Sequence, residues 1–529
     1  MPNRSTDSLF QLIHSLQKSE KRNFKLYVQR NSSNNDLKVV QLFDVIDKMN
    51  SYDENVLISK TPSIKKQQLP NIKAHLYKQI LSSLRLLENS ANIDIQLHEQ
   101  LDFARILYNK GLYHQTLRIL EKIKEIASAN NQINFQIEVL ILEKKIETLH
   151  ITRSMQDRAD QLSADVNNAN DRLVKESKLS NLALQLYSWY IKNGLARNKN
   201  DEVEIEDFFH SNLTMEISKP EGFYEKLYFH QSYCWYAFIR QDYLVYYRHT
   251  QKWVNLFLDE PIMIQIETGN YIKGLHNLLN SHFTLRNYAG FDKTLSLFED
   301  FSNSDIVKQN DNNKIQVFVY LYIAKINQHF LQGTFKEGLK IVPEIMQRLE
   351  EYNLFLDQHR TLIFYYKIAS LYFGAGDFDN AIDYLNKIIN WKVNLRNDLQ
   401  CYARLLHLIA HYELGNFQLL EYLIKTVYRF MAKMQNLSLV EEEIFKFLRK
   451  SFYLSARKLK PEFEKLLNTI KQFETSKFET RAFAYLDIVS WLESKVTEKQ
   501  TYEIIHEKYL RGRKLYNKSV KINPVQHHQ

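Results

Sequence analysis

At 529 residues the chain is too long for one globular core, and with only 12 Gly and 8 Pro it has few sharp turns to interrupt its elements. Aromatic residues make up 13% of it, enough to give nearly every helix face a large ring, which favours an all-helical array over a sheet protein. The formal charge of +9 permits an acidic or nucleic-acid partner without requiring one, and two distant cysteines, Cys234 and Cys401, argue against a disulfide framework.

The first ten residues, M-P-N-R-S-T-D-S-L-F, hold no apolar signal core. No window approaches a membrane span, since the longest apolar run, 315–326, is interrupted by Gln316 and Lys325. A soluble cytoplasmic protein is expected. Helices are expected over 7–16, 19–30, 36–49 and 71–89, with Ser19 capping the second and Asp36, at the end of the polar loop 31–36, capping the third. A shorter helix over 52–60 and a turn at Thr61-Pro62-Ser63 precede a basic helix bearing Lys73, His75, Lys78 and Arg85. That order has two readings: a helix-turn-helix, or a capping bundle with a solvated basic face. No side-chain pair there resembles a base-reading set, which favours the capping bundle.

From Ile93 onward a turn signal recurs. An aromatic follows a Gly or polar pair at Tyr113, Tyr243, Tyr288, Phe335, Phe378 and Phe417, and from Tyr243 the spacing is 39 to 47 residues. Weaker turns near 155–157 and 198–201 fill the gap after Tyr113, and Lys460-Pro461 continues the series one period beyond Phe417. Helices over 478–494 and 499–511 close it, giving about ten hairpins. Three parts follow: an N-terminal helical domain over 1–92, helical hairpins over 93–497, and a C-terminal helix with a basic tail over 498–529.

The clearest hairpin is 365–388. Tyr365, Ile368, Ala369 and Tyr372 fall on one helical stripe and Ala381, Leu385 and Ile388 on a facing one. Gly376 suits a left-handed helix end, Asp377 a cap, and Phe378 a plug for the turn. With its ring fully buried, Phe378→Ala is expected to cost about 3–5 kcal/mol. These residues resemble the tetratricopeptide (TPR) repeat, although Val393 stands where the family has proline and the period here is longer. The resemblance implies a fold that is all-α: a TPR-like helical-hairpin solenoid with an N-terminal helical capping bundle. The opening L-I-H-S-L-Q-K-S-E-K-R-N-F-K-L and closing D-I-V-S-W-L-E-S-K also resemble helical repeat proteins of Bacteroidetes-type bacteria, which implies no activity.

Chemistry is sparse. The chain has no clustered glycines to cradle phosphate, no cysteine pair at zinc spacing and no Gly-x-Ser-x-Gly elbow. His407 and His411 sit one helical turn apart, but Leu408 follows the first where zinc peptidases carry Glu, and Glu413 and Cys401 are weak third ligands. The acidic runs 201–207 and 441–443 read as helix N-termini. No catalytic residue, metal or cofactor is therefore assigned.

The TPR resemblance implies a concave surface lined by the first helix of each hairpin. Aligned on the turns, the residues offered there are Lys273, His276 and Asn280, then Tyr320 and Asn327, then Tyr366 and Ser370, with Tyr228, Gln231 and Trp235 before them. Lys273, Asn280 and Asn327 suit a peptide backbone or carboxylate, and the tyrosines add rigid contact area. The expected function is a non-enzymatic scaffold with a protein or peptide as partner. A regulator with a DNA- or effector-binding N-terminal domain is the alternative, and nucleic-acid binding through the basic ends ranks third. The tail residues Lys508, Arg511, Arg513, Lys514, Lys518 and Lys521 are expected on a frayed, solvated helix end.

Overall fold

The computed structural model describes residues 7–30, 36–88, 92–149, 157–353, 355–391, 397–434, 437–479, 483 and 487–522. Among them the chain is all-α, with no strand, and no helix is long and apolar enough to cross a membrane. It divides into two compact units, residues 1–170 and 171–529.

In the first unit, Leu9, Phe10 and Ile13 of helix Ser8–Ser15 share a core with Phe24, Phe43 and Leu76 from the next helices. The sequence places these at three- and four-residue spacings, which gives each short helix one apolar face. Helix Lys18–Arg30 starts one residue before Ser19, so Ser19 is no cap; the Glu20 carboxylate instead accepts from the Gln17 N–H at 2.6 Å. Asp36 is likewise the first residue of its helix rather than the cap before it. Lys73 on helix Leu69–Glu88 is tied to Asp7 and, at 2.8 Å, to the Tyr52 hydroxyl, which removes it from any basic outer face. Helices Ile93–Asn109, Tyr113–Ala129 and Ile133–Leu149 pack around Leu97, Leu101, Leu120, Ile123 and Val139.

The turn signal proves to have a common backbone geometry. Tyr113, Tyr243, Tyr288, Phe335, Phe378 and Phe417 are each the first residue of a helix, and the residue two places earlier has a positive φ every time. The residue between them donates its N–H to the carbonyl five places back, as in Asp242 to Ala237 (2.9 Å), Asn287 to His282 (2.9 Å) and Asp377 to Tyr372 (2.9 Å). This is the bond that closes a Schellman helix end, and the positive φ is what permits it. Glycine holds that position in four of the turns; Gln241 and Arg286 hold it in the others despite their side chains. Both have long-range partners: Gln241 donates to the Ala196 carbonyl at 3.1 Å, and Arg286 reaches Asp487 at 3.3 Å.

The stretch 365–388 folds as helices Gln358–Ala375 and Phe378–Ile389, with Gly376 at φ +83° and Asp377 accepting from the Asn380 N–H. Ala369, Ala381 and Leu385 are fully buried in one core between them, while Ile368 is buried in the adjoining core with Phe318 and Ile326. Phe378 is only half-buried, its ring set edge-on to Phe373 at 5.3 Å, unlike Phe335 at the equivalent turn position, which is buried. Lys460-Pro461 is not a turn, since Pro461 lies inside helix Ala456–Gln472. The weak turn near 155–157 falls largely outside the described residues, and the next is preceded by one uninterrupted 36-residue helix, Arg158–Asn193.

The last helix, Thr501–Ile522, packs its first half back onto the middle of the second unit, while Arg511, Arg513 and Lys514 lie exposed, as expected of the basic end. His506 Nδ1 meets the Gln332 carbonyl at 2.8 Å, Arg513 reaches Asp292 at 3.4 Å, and the rings of Tyr509 and Tyr288 meet at 5.0 Å. Two glycines permit the close approach. A Cβ at Gly333 would lie 2.6 Å from the Tyr502 carbonyl oxygen, and one at Gly512 would strike the Tyr288 ring. Lys508 is held by Glu493 and the Ser490 hydroxyl; the side chains of Lys518 and Lys521 lie outside the described residues.

Candidate functional site

The second unit encloses a cavity of about 580 Å³, within the range of sites that hold small ligands or a few residues of peptide. Its walls are the inner faces of helices Phe223–Ile239, Thr268–Thr284, Asp311–Gln332 and Gln358–Ala375. Thr501 and Ile505 of the final helix also line it, so the chain's own C-terminal segment forms part of its wall.

Lys273, His276, Asn280, Asn327, Tyr366 and Ser370 all line this one cavity, as do Tyr320 and Trp235; Tyr228 and Gln231 do not. Helical spacing accounts for the convergence. Lys273, His276 and Asn280 repeat at three and four residues, so one face of helix Thr268–Thr284 turns all three inward. Several are already engaged. Asn280 Nδ2 donates to His276 Nε2 at 3.0 Å, which sets the tautomer of a ring that lies 4.4 Å from Tyr320. Asn327 is almost fully buried and its Oδ1 accepts from Lys367 Nζ at 2.6 Å, so its oxygen already orients a lysine of the same lining. Ser370 donates to the Tyr366 carbonyl at 2.9 Å.

Sequence reasoning missed three cations of the lining, Lys367, Arg360 and Arg286, and for the first two, both on helix Gln358–Ala375, the spacing offered a cue. Arg360, Ile363, Lys367 and Ser370 recur at three, four and three residues, so they share a face of a helix that is otherwise strongly apolar. Alignment on the TPR resemblance selected Tyr366 next door, whose side chain is buried in the helix contacts.

The lining carries Lys273, Arg286, Arg360 and Lys367 against Asp357 and Asp487; Arg286 pairs with Asp487 and Arg360 with Asp357, which leaves the two lysines unmatched. Lys273 Nζ lies over the rings of Tyr187 at 4.8 Å and Trp235 at 5.6 Å, and Lys367 Nζ over Phe330 at 5.3 Å. Among the described residues neither lysine pairs with a carboxylate. Arg360 does, with Asp357 at 3.3 Å, but that carboxylate is more than half exposed and so screens weakly. Burial lowers the Lys367 ammonium to about 8, and burial together with Arg360 lowers Lys273. Burial and the neighbouring Lys367, Lys273 and Arg360 drive His276 down to about 3, so it is a neutral ring at physiological pH. The cavity is thus apolar and aromatic with a cationic lining on one side.

His407 and His411 lie on helix Asn397–Glu413, away from the cavity lining. Their Nε2 atoms are 3.3 Å apart, and His411 is also bonded to Asn416. Glu413, a candidate third ligand, instead accepts from Trp491 Nε1 at 2.6 Å and from Lys495. Asp201 and Glu202 do open a helix, Lys199–Asn212, and Glu441 completes a capping box with Ser438.

Neither a scan against models of known protein families nor a search of curated proteins gives a match to this chain.

Proposed function

We propose that this protein is a non-enzymatic binding protein, a TPR-like array of helical hairpins that takes a protein or peptide segment into the cavity of its second unit. The observation that carries the reading is the convergence of Lys273, His276, Asn280, Asn327, Tyr366 and Ser370, drawn from three helices, on one cavity. Repeated helical hairpins devote most of their sequence to stacking and leave a shared inner face for a ligand. Tyrosines and a tryptophan on that face give contact area at low entropic cost. Both cysteines are buried in the helical core, which suits a reducing, cytoplasmic setting.

The test is affinity purification of the tagged protein from its own cells, with and without nuclease, followed by mass spectrometry. A protein partner that survives nuclease and is lost in the Lys273→Ala, Asn280→Ala, Asn327→Ala triple variant is the expected result. A catch that vanishes with nuclease would overturn the reading and direct attention to the exposed Lys65, Lys66 and Lys78 of the first unit.

A further inference from the structure

The inner lining holds more positive charge than the fold can use. An ammonium group taken out of water costs several kcal/mol unless it gains a partner. Elsewhere in this unit Glu202 is met by Lys199, Arg240 and Lys477, and Glu493 by Lys471 and Lys508. Lys273 and Lys367, both half-buried, have no such partner among the described residues. Ring faces and one Asn oxygen supply part of the lost solvation and supply no counter-charge. Arg360 stands with them in the same lining, and His276, held neutral among the three, adds none. Around this group lie Tyr187, Trp235, Tyr320 and Phe330.

We propose that the cavity binds an amphipathic anion, a single carboxylate-type headgroup seated among Lys273, Lys367 and Arg360 with its apolar body against the aromatic wall. This rests on the cavity being the ligand site of the proposed function, and it names the chemistry of what enters. The headgroup supplies the counter-charge that the lining lacks. Lys273 has no hydrogen-bond acceptor among the described residues, and Lys367 has only Asn327 Oδ1, so both ammonium groups keep N–H donors for a ligand. A divalent cation would meet like charge here, and a neutral apolar molecule would leave the lysines unmatched. The headgroup chemistry is shared by a peptide's terminal carboxylate and by the carboxylate of a free fatty acid.

A matched pair of fluorescent probes tests the proposal on the full chain. 8-Anilinonaphthalene-1-sulfonate carries an anion on an aromatic body; N-phenyl-1-naphthylamine is the same ring system without the charge. The anionic probe is expected to bind at least tenfold more tightly. Lys367→Met and Lys273→Met are each expected to lose at least tenfold for it while the neutral probe binds as before, which also shows that the cavity has kept its shape. Equal affinity for the two probes in the wild type, or unchanged anion binding in both variants, overturns the proposal. Displacement then separates the sources. Acetyl-Ala-Leu-Phe with a free carboxylate is expected to compete and its amide to fail. Competition by decanoate but not by the peptide acid would keep the anion site and refute the peptide reading. Equal competition by peptide acid and amide would keep the peptide reading and refute the anion site. If neither carboxylate displaces the probe, the proposal is wrong.

Discussion

Lys367 weakens the fold that contains it. Burial lowers its ammonium from an ordinary 10.5 to about 8. Between those values the unfolded chain holds a proton that the folded chain has released, so stability rises with pH there. At pH 7 the folded protein carries the charge and the full desolvation cost. Lys367→Met is therefore expected to raise the melting temperature at pH 7, with the gain shrinking above pH 8; calorimetry at pH 7 and 9.5 checks both. The histidines act at the other end of the scale. Burial holds His230 and His276 at about 3 and His249, His282 and His407 at about 4. Each regains an ordinary value near 6.5 on unfolding, so the unfolded state takes up protons first as the pH drops. The second unit should lose stability progressively from pH 6.5 to about 4, read as a falling midpoint in urea titrations at pH 7.5, 6 and 5. At Phe378 a half-buried ring replaces the fully buried one expected, and Phe378→Ala should cost about 1.5–2.5 kcal/mol, half or less of a full core deletion.

At the level of elements, the left-handed turns decide where helices stop. A side chain in that conformation costs about 1–2 kcal/mol. Gly376→Ala should cost that and little more, because nothing lies within 4 Å of the added Cβ. Gly333→Ala pays the same backbone cost and also drives its Cβ into the backbone at Tyr502 and His506. It should therefore be the more damaging, and should speed proteolysis within the helix Thr501–Ile522 where Gly376→Ala does not. Equal proteolysis of the two variants would mean that the helix is not held at Gly333. How the turns were visible in the sequence is instructive. The aromatic after each turn could be read directly, because it recurs as the first residue of the helix, two places after the left-handed residue. That Gln241 and Arg286 adopt the same left-handed geometry as glycine could not, because only their contacts to Ala196 and Asp487 make the strain tolerable.

For the second unit as a whole, contacts between distant parts of the chain matter most. Glu202, near its start, is buried; burial alone would raise its carboxyl, but hydrogen bonds from Lys477, Lys199 and Arg240 pull it down to about 2. Lys477 lies 275 residues further along, and Phe478 packs beside Leu182, Ile205 and Phe209. Breaking a buried ion pair by removing one partner costs about 3–5 kcal/mol, because the other charges stay behind. Glu202→Gln should lower stability toward that range and loosen the junction between early and late segments, seen as faster hydrogen exchange in both 199–212 and 471–479. Exchange confined to the first of these would count against a shared closure.

The sequence alone determined the helical class, the helix starts after the turns, and the inward stripe on helix Thr268–Thr284, because each depends on residues within two turns of one another. It also carried the register that brought Lys273, Asn280 and Tyr366 to one cavity. Only the tertiary structure decided that the final helix forms part of that cavity's wall, and that the Asn327 oxygen is occupied by Lys367. It alone showed that Lys273 and Lys367 line the same space and pair with neither of its carboxylates, Asp357 and Asp487, which are engaged by Arg360 and Arg286. Those facts depend on pairings between residues tens to hundreds of positions apart. No local periodicity encodes them; they follow from which helix faces bury each other when the chain packs.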